Sequence, residues 1–237
     1  MKTSILALSL MLAGAALADV ESSNVFGLIP VTSTQKETLL AVPFVAYSAD
    51  GTSSIAVKDL VKTANLTTGD RLLVSNGSTY YSWTLKNSAW TPDNTAYTTA
   101  AGGKVISTTA PTQDQTISRG DAIWLVRTDT SKTVYLMGQV GAVASLSITG
   151  SDKGTWNLVG STVGDAIKIS SLTGANVSDT IELNDGTFYV YKTDGWCKRT
   201  PASGWGKPTE TAVTDSDVIP AGTGFMYFAF GNNSLTL

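Results

Sequence analysis

The 237-residue chain has no histidine and one cysteine, Cys197. Without imidazole, Ser-His-Asp and Cys-His nucleophilic pairs, histidine zinc sites and the commonest general base are excluded. A lone cysteine closes no internal disulfide and builds no thiolate metal cage; its expected role is a buried or half-buried one, an intermolecular or reactive thiol being the alternative. Charged residues make up only 15% of the chain, against ~25% in typical domains. The net charge of −3 comes without any Lys/Arg cluster, so nucleic acid and anionic membranes have no electrostatic footprint to bind. No GxxxxGK[ST] or GxGxxG loop is present to cradle phosphate. These absences imply no cofactor and no metal site.

Helical periodicity is missing too: no stretch sustains an i, i+3, i+4, i+7 apolar pattern. Thr, Ser, Gly and Val are abundant instead, the composition of sheets and turns. The expected fold class is all-β, with two tandem related antiparallel β-modules, sandwich or barrel-like, packed together. Residues 1–18 read as a signal peptide, with Lys2 as the positive n-region, Ile5 to Leu17 as the apolar h-region and Ala16-Leu17-Ala18 as the cleavage site. No later run reaches the ~18 apolar residues of a membrane helix. The expected product is secreted or held at the cell surface, without membrane insertion.

The module boundary falls near Gly138 to Ala142, giving a first module over 19–140 and a second over 141–237 that repeats it. Ala64-Asn65-Leu66 through Trp83 matches Ala175-Asn176-Val177 through Tyr191. Both contain a two-residue hairpin signal, Asn76-Gly77 or Asp185-Gly186, read as a type I′ turn. Leu39 to Val45 is an apolar run that fits a strand buried on both faces, ending near Pro43. Its counterpart is Trp156-Asn157-Leu158-Val159-Gly160. Ile55 to Val61 parallels Ile167 to Leu172. The last match sets Ile117-Ser118-Arg119-Gly120-Asp121 opposite Ile219-Pro220-Ala221-Gly222-Thr223. Corresponding features lie roughly 100 to 120 residues apart, as expected of a duplication with insertions in surface loops. No Pro-rich or charged linker separates the modules, so they are expected to pack together.

The segment Glu21-Ser22-Ser23-Asn24-Val25-Phe26-Gly27-Leu28, the Thr-Ser-Thr turn and Leu-Ala-Val-Pro-Phe after it, Trp156-Asn157-Leu158-Val159-Gly160 and Gly222-Thr223-Gly224-Phe225 resemble a family of uncharacterised secreted proteins of verrucomicrobial type. The resemblance implies an extracytoplasmic setting in a gut or mucus-associated bacterium, and it implies no reaction.

With imidazole gone, carboxylates are the remaining acid–base groups. A glycosidase needs two carboxyls about 5 to 9.5 Å apart, and Asp70, Asp121, Asp179, Glu182 and Asp185 are the candidates. Most lie at turns, where an aspartate side chain ties backbone N–H groups, so turn chemistry is the expected role. Arg119-Gly120-Asp121 is an integrin-type tripeptide, but its repeat reads Ala221-Gly222-Thr223, so the turn needs the glycine and not the charges. Trp83, Trp124 and Trp156 lie within apolar runs and are expected in the core. Trp90, Trp196 and Trp205 lie at strand ends or in the polar, Pro-containing loops Thr91 to Thr116 and Lys198 to Asp217, where aromatics stack on sugars or anchor a protein partner. Packing explains a repeated tryptophan equally well.

The expected function is a secreted, non-catalytic binding or adhesion protein acting at a cell or mucus surface. Its partner would be a host surface protein or a glycan, and its contact residues Trp90, Trp196, Trp205, Arg119 and Asp121. One alternative is a structural subunit of an envelope layer or filament, self-associating through strand edges. The other is a carboxylate-dependent hydrolase.

Overall fold

The computed structural model describes residues 26–46, 54–95, 104–129, 132–140, 145–202 and 207–237. Residues 1–18, read above as a signal peptide, and Trp205 lie outside the described residues. Period-two alternation opens the fold: from Ile29 to Ser33 every second side chain is buried, which makes strand β1 (Phe26–Ser33). The apolar run after it does not stay one strand. Pro43 breaks it into β2 (Glu37–Ala41) and β3 (Phe44–Val45), because proline has no N–H for the ladder.

The first half continues with β4 (Ser54–Ala56), one helical turn α1 (Val57–Leu60) and β5 (Val61–Lys62). Then come β6 (Arg71–Ser75), β7 (Tyr80–Lys86), β8 (Ala89–Asp93), β9 (Thr116–Ser118), β10 (Ala122–Val126) and β11 (Lys132–Val140). The second half holds β12 (Leu146–Ile148), β13 (Thr155–Gly160), β14 (Ile167–Lys168), a 3₁₀ turn (Ile169–Ser171) and β15 (Thr180–Glu182). It ends with β16 (Phe188–Lys192), β17 (Gly195–Thr200), β18 (Thr209–Ala212), β19 (Val218–Ile219), β20 (Gly224–Ala229) and β21 (Asn233–Leu235).

One pairing scheme is used twice. The first main sheet runs β2-β10-β6-β7-β8, and the second β13-β20-β15-β16-β17-β18. Around them, β1 pairs with β11 as β12 does with β21, and β4 with β9 as β14 does with β19. Every strand pair is antiparallel. Even the helical turns correspond, α1 with the 3₁₀ turn, at places where the sequence suggested uninterrupted strand. The fold is all-β, two related sandwich-like modules packed together, with no closed barrel among the described residues. One core gathers Leu40, Leu60, Leu72, Trp83, Ile123 and Leu136, the other Ile169, Ile181, Ile219, Phe225, Tyr227 and Leu235.

A buried aspartate closes the same loop in both modules. Asp70 accepts from the Thr67 and Thr128 amides at 2.8 and 2.7 Å, and Asp179 from the Asn176 and Phe230 amides at 2.8 and 2.7 Å. Both are fully buried. The equivalence runs Thr67 to Asn176 and Asp70 to Asp179, so the Ala-Asn-Leu and Ala-Asn-Val tripeptides match in sequence but not in space; the first loop is longer. Asp179 also receives the Tyr227 hydroxyl and the Asn233 amide, each at 2.7 Å. Asp217 repeats the device, taking the Thr214 amide at 2.9 Å, Lys198 Nζ at 3.0 Å and the Tyr189 hydroxyl at 3.1 Å.

The hairpin turns differ from expectation. A type I′ turn needs positive φ at both central residues, and Asn76 and Asp185 lack it: only Gly77 and Gly186 lie there. Asn76 instead caps its loop, accepting from the Thr79 amide at 3.1 Å. The turn with both residues at positive φ is Asn87-Ser88, at 49° and 62°, between β7 and β8.

The modules meet by exchanging strand edges across a local pseudo-two-fold. The Ala41 amide of β2 donates to the Gly222 carbonyl at 2.9 Å, and the Gly160 amide of β13 to the Gly120 carbonyl at 2.7 Å. Leu40 bridges Thr223 as Val159 bridges Asp121. Gly120, at φ 91°, forms a glycine bulge: its amide donates to the Val42 carbonyl while the Val42 amide donates to the Asp121 carbonyl, each at 3.0 Å. That frees the Gly120 carbonyl to cross to the other module.

Three outcomes test this account. A Cβ on Gly160 would run into the Asp121 carbonyl oxygen and the Val42 amide, both backbone; Gly160→Ala is expected to lose about 1–3 kcal/mol in denaturant unfolding. Asp179→Ala strands several buried donors and should cost at least about 3 kcal/mol by the same measurement. The Thr214 amide above all, with Lys198, holds the Asp217 carboxyl at about 2 against the opposing pull of burial. A carboxyl depressed below its unfolded value of ~3.9 stabilises above that pH and loses the contribution as pH falls toward 2. Asp217→Asn should lower stability at neutral pH and flatten the pH 5 to 2 limb of an unfolding-midpoint profile.

Candidate functional site

Two of the expected contact residues are in the core. Trp90 is 3% exposed with its indole N–H donating to the Val61 carbonyl at 2.9 Å, and Trp196 is 5% exposed with its N–H on the Leu172 carbonyl at 3.3 Å. They occupy one position of the repeated module, on β8 and β17, and stitch those strands to the chain beside the helical turns. The loops expected after them are partly strand: β8 runs on to Asp93, and β18 occupies part of the second.

Arg119-Gly120-Asp121 is the module joint described above. The Arg119 side chain is turned inward, Nε donating to the Pro43 carbonyl at 3.2 Å and a terminal nitrogen to the Thr162 carbonyl, so one guanidinium holds backbone from both modules. Desolvation of that guanidinium lowers its pKa. Asp121 is exposed as a residue, but the chain packed around its carboxyl partly desolvates it and pushes it upward against the bond it accepts from the Ser118 amide at 3.2 Å. Of the other carboxylates, Asp70 and Asp179 are loop ties, Asp185 is exposed and caps the Thr187 amide at 2.9 Å, and partial burial raises Glu182. Among the described residues, no group of three or more His, Cys, Asp or Glu side chains could hold a metal ion. No described helix is long and apolar enough to cross a membrane.

Of the three tryptophans expected in the core, Trp83 is fully buried and Trp124 half-buried, but Trp156 faces solvent. Trp156 on β13 is 51% exposed. It stands beside Phe228 on β20, ring centroids 4.9 Å apart, and Phe228 in turn meets Phe230 edge-on at 5.1 Å. Gly154, at φ 81°, lies against the tip of the Phe228 ring, where a Cβ would collide with it. The apolar run misled because Trp156 and Leu158 share the outer phase while Val159 faces the core. The sign of this phase is Asn157, whose side chain is held by the Thr149 carbonyl at 2.8 Å.

Trp156 forms one wall of a cleft of about 520 Å³ at the module junction, with Ser75 and Tyr80 from the first module and Asp121, Leu158 and Met226 completing it. The pseudo-two-fold generates a mate of about 410 Å³ lined by Val31, Thr38, Asn184, Ala221 and Thr223. The two are unequal. In the mate, Asn184 spans the junction: its Oδ1 accepts from the Leu39 amide at 2.8 Å and its Nδ2 donates to the Leu39 carbonyl at 3.0 Å. Glu37 stands where β13 has Trp156. It pairs with Lys104 at 2.5 Å, and the same ammonium lies 4.1 Å from the centre of the Trp124 ring. The first module thus caps its outer aromatic with its own chain.

Comparison of the chain with protein-family models, with curated proteins and with solved structures finds no match in any of the three. The fold and the cleft therefore define the site: a junction cleft with one exposed aromatic wall, on a scaffold of two packed β-modules.

Proposed function

We propose that the protein is an exported, non-catalytic binding or adhesion protein that engages a glycan or a surface protein of a cell or mucus layer through the Trp156 cleft. The observation that carries this reading is the exposed Trp156, packed on Phe228 beside a cleft with polar groups at Ser75, Asp121 and Asn157. A flat, pre-ordered aromatic with adjacent hydrogen-bonding groups suits a sugar face or an interface anchor, since little side-chain entropy is lost on binding. The leader at 1–18 and the resemblance to secreted proteins support the extracytoplasmic setting.

A structural subunit is the second reading, favoured by β1, which among the described strands pairs only with β11 and carries the exposed Leu28, with Val140 at the end of β11 exposed as well. An unpaired edge with apolar side chains is a template for self-association. Light scattering across a concentration series separates the readings: monomers at micromolar concentration remove the second.

The first is tested on glycan and host-protein arrays with Trp156→Ala. The variant is expected to lose at least tenfold in signal while its unfolding free energy changes by about 1 kcal/mol or less. An unchanged signal removes the cleft from consideration. Trp90→Ala and Trp196→Ala, by contrast, should cost about 3–5 kcal/mol in stability.

A further inference from the structure

The inference turns on the backbone of Leu158. The Gly160 amide points away from β20, toward the Gly120 carbonyl, so the period of two turns the Leu158 N–H and C=O outward as well, into the cleft. The antiparallel bridge of Asp121 with Val159 gives the Leu158 carbonyl the Ala122 amide and leaves it one lone pair, while the strand pairings and turns give the Leu158 N–H no partner among the described residues. At the pseudo-symmetric position the N–H and C=O of Leu39 are turned out in the same way, and there Asn184 takes both. The register Leu72 to Trp83 matches Ile181 to Tyr189, which places Ser75 where the other module has Asn184. Serine is shorter and lacks the paired acceptor and donor of a carboxamide.

We propose that the Trp156 cleft is a receptor for a primary carboxamide, the Asn or Gln side chain of a partner protein. Its oxygen accepts from the Leu158 amide, its nitrogen donates to the Leu158 carbonyl, and its apolar stem lies against Trp156. This rests on the reading of the cleft as the binding site and names the group it takes. The occupant follows from continuity with the module interface: β13 is already paired at Gly160 and Val159, Leu158 is the next rung, and the molecule itself shows what completes that rung on its other side. A secondary amide is trans, with N–H and C=O pointing in opposite directions, so an acetamido sugar cannot make both bonds. A carboxylate accepts only and offers the remaining lone pair of the Leu158 carbonyl no donor.

The test is a ¹⁵N-resolved NMR titration with propionamide, an analogue of the Asn side chain, run beside N-methylpropionamide and propionate. The Leu158 amide is expected to shift saturably with propionamide and at least severalfold less with the other two. Ser75→Asn, which tethers a carboxamide at the site, should abolish the response. Asn184→Ser should open the mate, so that the Leu39 amide now responds to propionamide. A Leu158 amide that ignores propionamide, follows propionate equally, or still responds in Ser75→Asn overturns the proposal. If Ser75→Asn does not fold, the Asn184→Ser arm decides alone: a silent Leu39 amide overturns it. Loss of array signal in Trp156→Ala together with a silent Leu158 sinks the carboxamide and leaves the binding cleft; a responding Leu158 with an unchanged array signal does the reverse.

Discussion

Edge exchange at the module junction is the constraint on which the rest of the structure depends. A β-sheet has two edges, and an unpaired edge carries a row of N–H and C=O groups that seek partners. Here β2 and β13 each offer an edge, and each is met by the glycine turn that opens the other module's second sheet strand, Gly222-Thr223 before β20 and Gly120-Asp121 before β10. Backbone must approach backbone for this, which leaves no space for a Cβ at Gly160. The junction is therefore specified by glycine and by bulge geometry more than by any charged pair. Arg119 reinforces it by reaching carbonyls on both sides.

Pseudo-symmetry makes the asymmetries informative. Two modules with one pairing scheme would produce two equal clefts, yet Asn184 fills one rung and Ser75 leaves the other open. Glu37 and Lys104 cap the aromatic of the first module, while Trp156 stands uncapped in the second. A repeat that keeps its core and its loop ties but differs at the outer face of one strand places that difference where it does not disturb folding, since Trp156 and Ser75 belong to neither hydrophobic core.

Much of the architecture was legible. The all-β class followed from missing helical periodicity, and the repeat from matched turns. Among the carboxylates expected at turns, Asp70, Asp121 and Asp179 do that work, each folding a short loop back onto an amide three residues earlier, and Asp217, which the sequence did not single out, does the same. The candidate site was not legible. Trp90 and Trp196 looked loop-bound because turn residues surround them, but β8 and β17 carry them inward. Trp156 looked buried because apolar residues surround it. In both cases the error was one of phase, and a shift of a single residue moves a strand side chain to the opposite face of the sheet.

What the sequence determined alone is the local chemistry: strands without helices, turns at Gly, Asn and Asp, two copies of one module, and no imidazole to shuttle protons. What only the tertiary structure decided is which side chains face solvent and which strand edge is left open. The reason is that exposure and edge pairing are properties of two segments at once. The Leu158 amide is left without a partner where the register sets Ser75, far away in the chain, in the place that Asn184 holds in the other module, and no local pattern encodes which segment lies opposite.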